Sequence, residues 1–196
     1  MSRLLVIAFL SVVSAVPVGL LAGCDRGQQD TAQQAAAADG AGPGALTGEI
    51  NAAFAGTPLP DLVVRDGAGR ELDLGALDGP VLVNLWATWC APCVVEMPQL
   101  DALAAQLDGE VRVITISQDL RGAEVVDPFF ASKGFARLEP WLDPETALSA
   151  QFSEAGQLPL TILFDASGRE VWRVAGGYEW DSEAAIAAVR EGLAAP

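Results

Sequence analysis

The feature that most constrains the fold is an uncharged apolar run that leads directly into a pair of cysteines. Residues 79–87, GPVLVNLWA, begin at a Gly-Pro break and are typical of a strand covered on both faces. Cys90 and Cys93 follow, separated by an Ala-Pro dipeptide, and apolar residues at helical spacing continue over residues 92–107. The sequence therefore predicts a central strand, a cysteine pair near its end and a helix directly after the pair.

The rest of the folded region alternates between strand-like and helix-like patterns. The other expected elements are a β-hairpin over residues 60–74, strands over 111–117, 160–165 and 170–176, and helices over 122–134, 143–152 and 181–193. The order strand, helix, strand, helix, and then a hairpin and a helix, predicts an α/β fold with a mixed sheet. We expect the tryptophans outside the cysteine motif to serve packing alone, which applies to Trp141, Trp172 and Trp180.

The N-terminus has the pattern of a secretory signal. Arg3 precedes residues 4–22, which are apolar and uncharged and end in small residues. A transmembrane anchor is the alternative, but Pro17 and Gly19 interrupt the run. We therefore expect an exported protein.

The end of the apolar run is more specific, because residues 21–24, LAGC, resemble the bacterial lipoprotein box. That resemblance implies cleavage before Cys24 and lipidation of its thiol, and Asp25 after it resembles a signal for retention at the inner membrane. The following segment is rich in Ala, Gly and Gln, which is typical of a flexible tether. The expected domains are a signal peptide over 1–23, a lipidated tether over 24–57 and a folded domain over 58–196.

Charge and residue counts exclude several classes of function. The 11 Lys and Arg and 26 Asp and Glu give a net charge of −15, which repels nucleic acid and anionic lipid. The chain has no histidine, which excludes histidine-dependent catalytic triads and most zinc and haem sites. Three cysteines are an odd number for an exported protein, and lipidation of Cys24 leaves Cys90 and Cys93 as one pair.

The position of the cysteine pair suits it to disulfide exchange. At a strand–helix junction, Cys90 meets unpaired backbone N–H groups and the positive end of the helix dipole, which stabilise its thiolate. Cys93 lies one turn further on, where it can resolve a mixed disulfide formed at Cys90. Pro92 at the first helical turn sets the backbone without removing a needed N–H.

The motif Trp89-Cys90-Ala91-Pro92-Cys93 resembles the active site of the thioredoxin superfamily. The flanking sequences NLWATW before it and EMP after it resemble the TlpA/ResA group of membrane-attached, extracytoplasmic thiol–disulfide oxidoreductases. The resemblance spans roughly residues 57–195 and implies a thioredoxin-like fold with an N-terminal β-hairpin and a central insert. It also implies that Trp89, Ala91 and Pro92 shape the site.

The same resemblance assigns a role to a proline far from the motif. In this group a cis-proline faces the cysteine pair and helps to hold the substrate chain, and the matching residue is Pro159 in GQLPLT. We therefore expect a cis peptide bond before Pro159. Leu158, which precedes it, offers no side-chain hydrogen bond to Cys90.

Glu96 is the candidate proton acceptor for Cys93. It follows Cys93 by three residues, which places both on the same side of the helix. Thioredoxin proper buries an aspartate near its pair, but Asn84 stands at that position and cannot take a proton. Glu96 can replace the aspartate if burial raises its pKa towards neutrality. The alternative is an exposed helix glutamate without a role.

Five other uses of the cysteine pair are alternatives to the reduction of partner disulfides. A structural disulfide would close too small a ring to stabilise the chain much, and zinc needs four ligands. Copper(I) can be held linearly by two thiolates, which would make the protein a copper-binding chaperone module. Peroxide reduction is disfavoured because the isolated, arginine-assisted cysteine pattern of peroxiredoxins is absent, and disulfide insertion because the histidine of the DsbA-type motif is absent.

The preferred interpretation is a lipid-anchored reductase on the periplasmic face of the inner membrane. We expect it to use no cofactor and no metal, and to reduce protein disulfides with electrons from a membrane donor. Family resemblance implies specific partners, such as apocytochrome c cysteine pairs or copper-centre assembly proteins.

Overall fold

The apolar run around residues 81–86 forms the strand β4, Val81–Trp86, in the middle of an eight-stranded sheet. The structure is a computed structural model that describes residues 46–153 and 156–194. β5 pairs with β4 in parallel on one side and β7 antiparallel on the other, and all six residues of β4 are buried because a core cluster covers each of its faces. The predicted doubly covered central strand is therefore confirmed.

The remaining elements follow the predicted order. The other strands are β1 (Ile50–Asn51), β2 (Val63–Arg65), β3 (Glu71–Asp73), β5 (Arg112–Ser117), β6 (Trp141–Leu142), β7 (Leu160–Phe164) and β8 (Glu170–Ala175). The helices are α1 (Ala91–Gln106), α2 (Ala123–Lys133), α3 (Ala147–Phe152) and α4 (Glu183–Ala194), with a short 3-10 turn at Leu74–Ala76. The strand order is β1-β8-β7-β4-β5-β6-β2-β3, with parallel and antiparallel pairs, so the predicted α/β class with a mixed sheet is confirmed.

Alternation along β4 divides the core into two layers. Leu82 and Trp86 join the cluster that contains the buried faces of α1, α2 and α4, whereas Val81, Val83 and Leu85 join the cluster on the opposite face, with α3. Asn84 lies between Leu82 and Trp86 on the α1 side, where it bonds to Glu96. The alternation of side chains along β4 therefore places one polar side chain, Asn84, at the interface with α1, the helix that carries Cys93.

The folded region begins earlier than the expected boundary at residue 58. Ile50–Asn51 forms β1, which pairs antiparallel with β8, and the Phe54 ring lies 4.0 Å from the Arg173 guanidinium carbon. Arg173 is buried and bonds to both carboxylate oxygens of Glu170. The end of the predicted tether is thus wrong, because residues 46–57 include a strand and an aromatic contact that fasten them to β8.

The central insert holds the other departure from the predicted elements. Trp141–Leu142 forms β6, which the sequence did not predict, and which joins β5 to β2. The helix α3 starts at Ala147 rather than near residue 143, because Asp143 stays outside the helix and accepts hydrogen bonds from the N–H groups of Ala147 and Leu148.

The targeting predictions lie outside the described residues. These are the signal peptide over 1–23, the lipidated Cys24 and the tether up to residue 45. In residues 46–153 and 156–194, no helix is both long and apolar enough to cross a bilayer.

Candidate functional site

The two motif cysteines form a disulfide at the start of α1. The sulfur atoms of Cys90 and Cys93 are 2.05 Å apart. Cys90 is the capping residue before the helix, its backbone is extended, and its Sγ accepts the Cys93 N–H at 3.3 Å. Ala91 and Pro92 open the helix, as predicted. The Cys93 N–H and the positive end of the α1 dipole therefore face the sulfur of Cys90 and favour its thiolate once the disulfide is reduced.

The two cysteines differ in their exposure to solvent. Cys90 retains 6% of its surface in contact with solvent, whereas Cys93 has none. Exchange requires an attacking sulfur to reach the partner's disulfide along the line of the bond that breaks. Cys90 is therefore the sulfur that a partner protein can reach, and Cys93 can react only with Cys90.

A buried aspartate supports the turn that leads into the cysteine pair. Asp119 follows β5 and accepts hydrogen bonds from the Thr88 N–H and the Thr88 hydroxyl, both at 2.8 Å. The Ser117 hydroxyl donates to the same carboxylate at 2.8 Å. No local sequence pattern predicts this contact, because only the parallel pairing of β4 with β5 brings Asp119 next to Thr88.

Pro159 lies at the same end of the sheet as the cysteine pair. The Leu158–Pro159 peptide bond is cis, as expected. Leu160, the first residue of β7, pairs with Leu85 near the end of β4, so Pro159 stands beside the turn that carries Cys90. Its carbonyl accepts the Gly176 N–H at 2.9 Å, which ties this proline to the end of β8.

Glu96 is fully buried, which excludes the alternative of an exposed helix glutamate. Asn84 Nδ2 donates to its Oε1 at 2.8 Å, the Tyr178 N–H donates to Oε2 at 3.2 Å, and Trp180 Nε1 donates to Oε2 at 3.1 Å. Burial raises the pKa of Glu96 to about 7, and the three donors oppose that rise. The carboxyl group can therefore exchange a proton near neutral pH.

Trp180 has a polar contact that the sequence did not reveal. Its ring is buried and stacks on Trp172 with 6.4 Å between ring centres, which matches the predicted packing role. Its indole N–H nevertheless donates to Glu96, so packing alone was the wrong prediction. The available signal was physical, because a buried indole N–H needs an acceptor and a buried carboxylate needs donors.

Apolar side chains are exposed beside the reactive sulfur. Trp89 has 69% of its surface exposed and Leu120 has 77%. Both line a groove of about 570 Å³ that reaches Leu158, the residue before the cis-proline. The other lining residues are Gln118, Thr146, Ser149, Ala150, Ser153 and Gly156. This groove is suited to hold apolar side chains of a protein that presents a disulfide to Cys90.

The part of the chain that the structure describes contains no group of three or more Cys, Asp or Glu side chains arranged to hold a metal. Within that part, Cys90 and Cys93 are the thiol groups, and they are bonded to each other. The geometry therefore provides a dithiol/disulfide couple.

Comparisons with known proteins agree with this geometry. A model of the AhpC/TSA family matches residues 55–186. The thiol-disulfide oxidoreductase ResA of Bacillus cereus is 31% identical over 122 residues, which are 62% of this chain and 69% of ResA. The thiol:disulfide interchange protein HelX of Rhodobacter capsulatus is 32% identical over 120 residues, 61% of this chain and 58% of HelX.

Solved structures show the same fold. A thio-disulfide isomerase from Thermus thermophilus is 29% identical, with a TM-score of 0.58 over 72% of this chain and 98% of the isomerase. A putative DsbE protein from Chlorobium tepidum has a TM-score of 0.57 at 20% identity, over 70% of this chain and 94% of that protein. The predicted thioredoxin-like fold is therefore confirmed. With a family match over residues 55–186 and a cysteine pair at bonding distance, the chain belongs to the AhpC/TSA family of thioredoxin-like proteins as a thiol-disulfide oxidoreductase of the ResA type.

Proposed function

We propose that this protein is a membrane-tethered, extracytoplasmic reductase that opens disulfides of specific partner proteins. The observation that carries the proposal is the unequal exposure of the two cysteines, 6% for Cys90 and none for Cys93. An attacking cysteine at the surface and a fully buried resolving cysteine suit a stepwise exchange through a mixed disulfide.

The reaction proceeds in two displacements. In the first, the Cys90 thiolate attacks a partner disulfide, the partner's S–S bond breaks, and one partner thiolate leaves. In the second, the Cys93 thiolate attacks Cys90 Sγ, which forms the Cys90–Cys93 bond and releases the second partner thiolate. Two electrons pass to the partner, whose two thiolates each take up a proton. A membrane electron donor then reduces the Cys90–Cys93 disulfide for the next cycle.

Glu96 serves as the proton acceptor of the second displacement. The thiol of Cys93 must lose its proton before it can attack, and Glu96 lies one helical turn along α1 from it. A buried carboxyl group whose pKa is about 7 is half ionised at neutral pH, so it can accept that proton and release it again.

The remaining site residues bind and orient the partner. The cis-proline Pro159 holds the extended chain that carries the partner's disulfide, while Ala91 and Pro92 fix the first turn of α1 beneath it. Trp89 supplies an exposed aromatic surface at the mouth of the neighbouring groove. Aromatic and apolar contacts of this kind supply much of the affinity in protein interfaces.

The anchoring and the partner class follow from sequence and family resemblance. The lipoprotein-type signal over 1–23 and the lipidated Cys24 attach the chain to the outer face of the inner membrane, and the tether after Cys24 lets the domain reach partners there. The family points to cytochrome c maturation or copper-centre assembly as the process served. Both require reduced cysteine pairs in an oxidising compartment.

The test of the direction of electron flow is the midpoint potential of the Cys90–Cys93 couple at pH 7. We expect a value near thioredoxin's, about −270 mV, measured by equilibration of the purified protein with thiol redox buffers. A value near about −120 mV would instead identify a protein that inserts disulfides. If no reversible disulfide formed, the redox proposal would fail, and copper(I) binding by the thiol pair would have to be tested.

The specificity of the protein is tested by trapping its partner. In a Cys93→Ser variant the mixed disulfide at Cys90 cannot be resolved, so partner proteins should accumulate as covalent adducts in cell-envelope extracts. Adducts separated on non-reducing gels should contain a small number of proteins that carry cysteine pairs. The matched control is Cys90→Ser, which should trap nothing because Cys93 is buried. An empty Cys93→Ser trap would contradict the proposal of specific protein partners.

A further inference from the structure

The two carboxylate oxygens of Glu96 have different hydrogen-bonding surroundings. Oε2 accepts two hydrogen bonds, from the Tyr178 N–H and from Trp180 Nε1. Oε1 accepts one, from Asn84 Nδ2. A carboxylate oxygen has two lone pairs, so the two donors leave Oε2 none for a proton, whereas Oε1 keeps one free.

The donors to Oε2 cannot reverse their direction. A backbone amide and an indole nitrogen each donate a hydrogen and accept none. Both belong to the segment between β8 and α4, and this segment is also tied to α1 by the Trp180 N–H, which donates to the Gln99 side chain at 3.1 Å. The Trp180 ring is fixed by its stacking on Trp172 and by Tyr178, whose ring centre is 4.9 Å away. Oε2 is therefore held in a rigid, donor-only environment.

The partner of Oε1 can reverse its direction. Asn84 Nδ2 donates to Oε1 and also to Thr161 Oγ1 at 2.9 Å, while Asn84 Oδ1 is buried and has no donor among the residues that the structure describes. A half-turn of this amide would present Oδ1 to both neighbours. A protonated Oε1 would then donate to Oδ1, and the Thr161 hydroxyl, which can donate or accept, would keep its contact.

We propose that Trp180 is a positioning residue for the dithiol reaction: with the Tyr178 amide it occupies Oε2 of Glu96 and leaves Oε1 as the oxygen that takes up and returns the proton. The inference rests on the proposed role of Glu96 as proton acceptor. It adds the atom at which the proton moves and the residue that selects it.

No charged side chain of the described residues forms a bond to Glu96. Asn84 faces it from β4, Thr161 contacts Asn84 from β7, and no ion pair of the described residues includes Glu96. The titratable side chains nearest in sequence to Glu96 and its donors are Cys93, which does not titrate in the disulfide, and Tyr178, Glu179 and Asp181 in the segment that carries Trp180. Removal of one donor should therefore change the titration of Glu96 directly.

The experiment follows the Glu96 carboxyl carbon by NMR from pH 5 to 9 in the oxidised protein, in wild type and in Trp180→Phe. Phenylalanine keeps an aromatic ring and removes the N–H, so the carboxylate loses a hydrogen-bond donor. The midpoint of the Glu96 titration should therefore rise by about one pH unit. The matched control is Trp141→Phe, the same change at a buried tryptophan that packs in the other core layer and has no bond to Glu96. The control variant should have the same Glu96 titration midpoint as wild type.

The reaction should follow the titration. With the midpoint one unit higher, the resolution of a mixed disulfide at pH 7 should slow about fivefold in Trp180→Phe and recover at pH 9. A general loss of structure would slow the reaction at every pH. In wild type, without any substitution, the Trp180 indole N–H resonance should titrate with the same midpoint as the Glu96 carbon, and the Trp172 resonance should not.

The outcomes separate this inference from the proposed function. An unchanged Glu96 midpoint in Trp180→Phe, or a Trp180 resonance that ignores the titration, would overturn the positioning role and leave Glu96 as a candidate acceptor. A midpoint that moves while the pH dependence of the reaction stays fixed would overturn the acceptor role of Glu96, and with it the role of Trp180 in the reaction.

Discussion

Replacing Cys90 by serine should reduce the disulfide exchange rate to that measured without protein. Cys93 is fully buried and cannot reach a partner disulfide, and the hydroxyl of serine is not ionised at neutral pH. The measurement is the turnover of insulin disulfides by the purified protein with dithiothreitol as the electron source.

The third cysteine supplies the matched control. Cys24→Ser changes a cysteine outside the motif whose proposed role is lipid attachment, so the exchange rate of the purified protein in detergent solution should equal that of wild type. Substantial exchange by the Cys90→Ser variant would mean that Cys93 is reachable from solvent, and the assignment of an attacking and a resolving sulfur would have to be reversed.

Replacing Glu96 by glutamine should slow the resolution of mixed disulfides by roughly 100-fold at pH 8, the contribution expected of a general base. The amide cannot accept the Cys93 proton, so the rate should also lose its dependence on an ionisation near pH 7. Stopped-flow measurement of the release of a partner thiol from a preformed Cys90 adduct reports this step. A Glu96→Gln profile that overlaid the wild-type profile would rule out the acceptor role.

The same substitution should change the pH dependence of stability. The pKa of Glu96 is about 7 in the folded protein and 4.5 for an unperturbed glutamate. The unfolded chain therefore ionises first as pH rises, and folding loses free energy between pH 4.5 and 7, by about 3 kcal/mol. Glutamine cannot ionise, so this loss should be absent from Glu96→Gln, and the variant should gain stability relative to wild type as pH rises from 4.5 to 8.

Urea unfolding at pH 4.5 and pH 8 measures this difference. Glu191→Gln, an exposed change on α4, is the matched control, and its stability should track wild type within about 0.5 kcal/mol at both pH values. Equal pH dependence of Glu96→Gln and wild type would show that Glu96 ionises in the folded protein as it does in the unfolded chain.

The elements that the sequence predicted are those with a strong local pattern. The apolar run of β4 and the helical spacing of apolar residues in α1 are visible in the local sequence, because each element buries a continuous surface. The strands β1 and β6 did not, because each has two residues and depends on partners far along the chain. Ile50 pairs with Val174, and no local signal carries that information.

A similar division holds for the site. Cys90, Cys93 and the cis-proline Pro159 were predicted, since the cysteine motif marks the junction and family resemblance supplies the proline. The burial of Glu96 could not be predicted from its position on α1. It depends on the loop after β8, whose Trp180 closes over the carboxyl group from a distance of 84 residues along the chain.

The burial of Cys93 also bears on damage by oxidants. A peroxide that reaches the slightly exposed Cys90 converts its thiolate to a sulfenic acid, and further oxidation beyond that stage is irreversible. Cys93 stands within bonding distance, so its thiol condenses with the sulfenic acid, releases water and restores the disulfide. The buried sulfur thus returns the oxidised protein to the disulfide state of its exchange cycle, and one reduction of that disulfide restores the active dithiol.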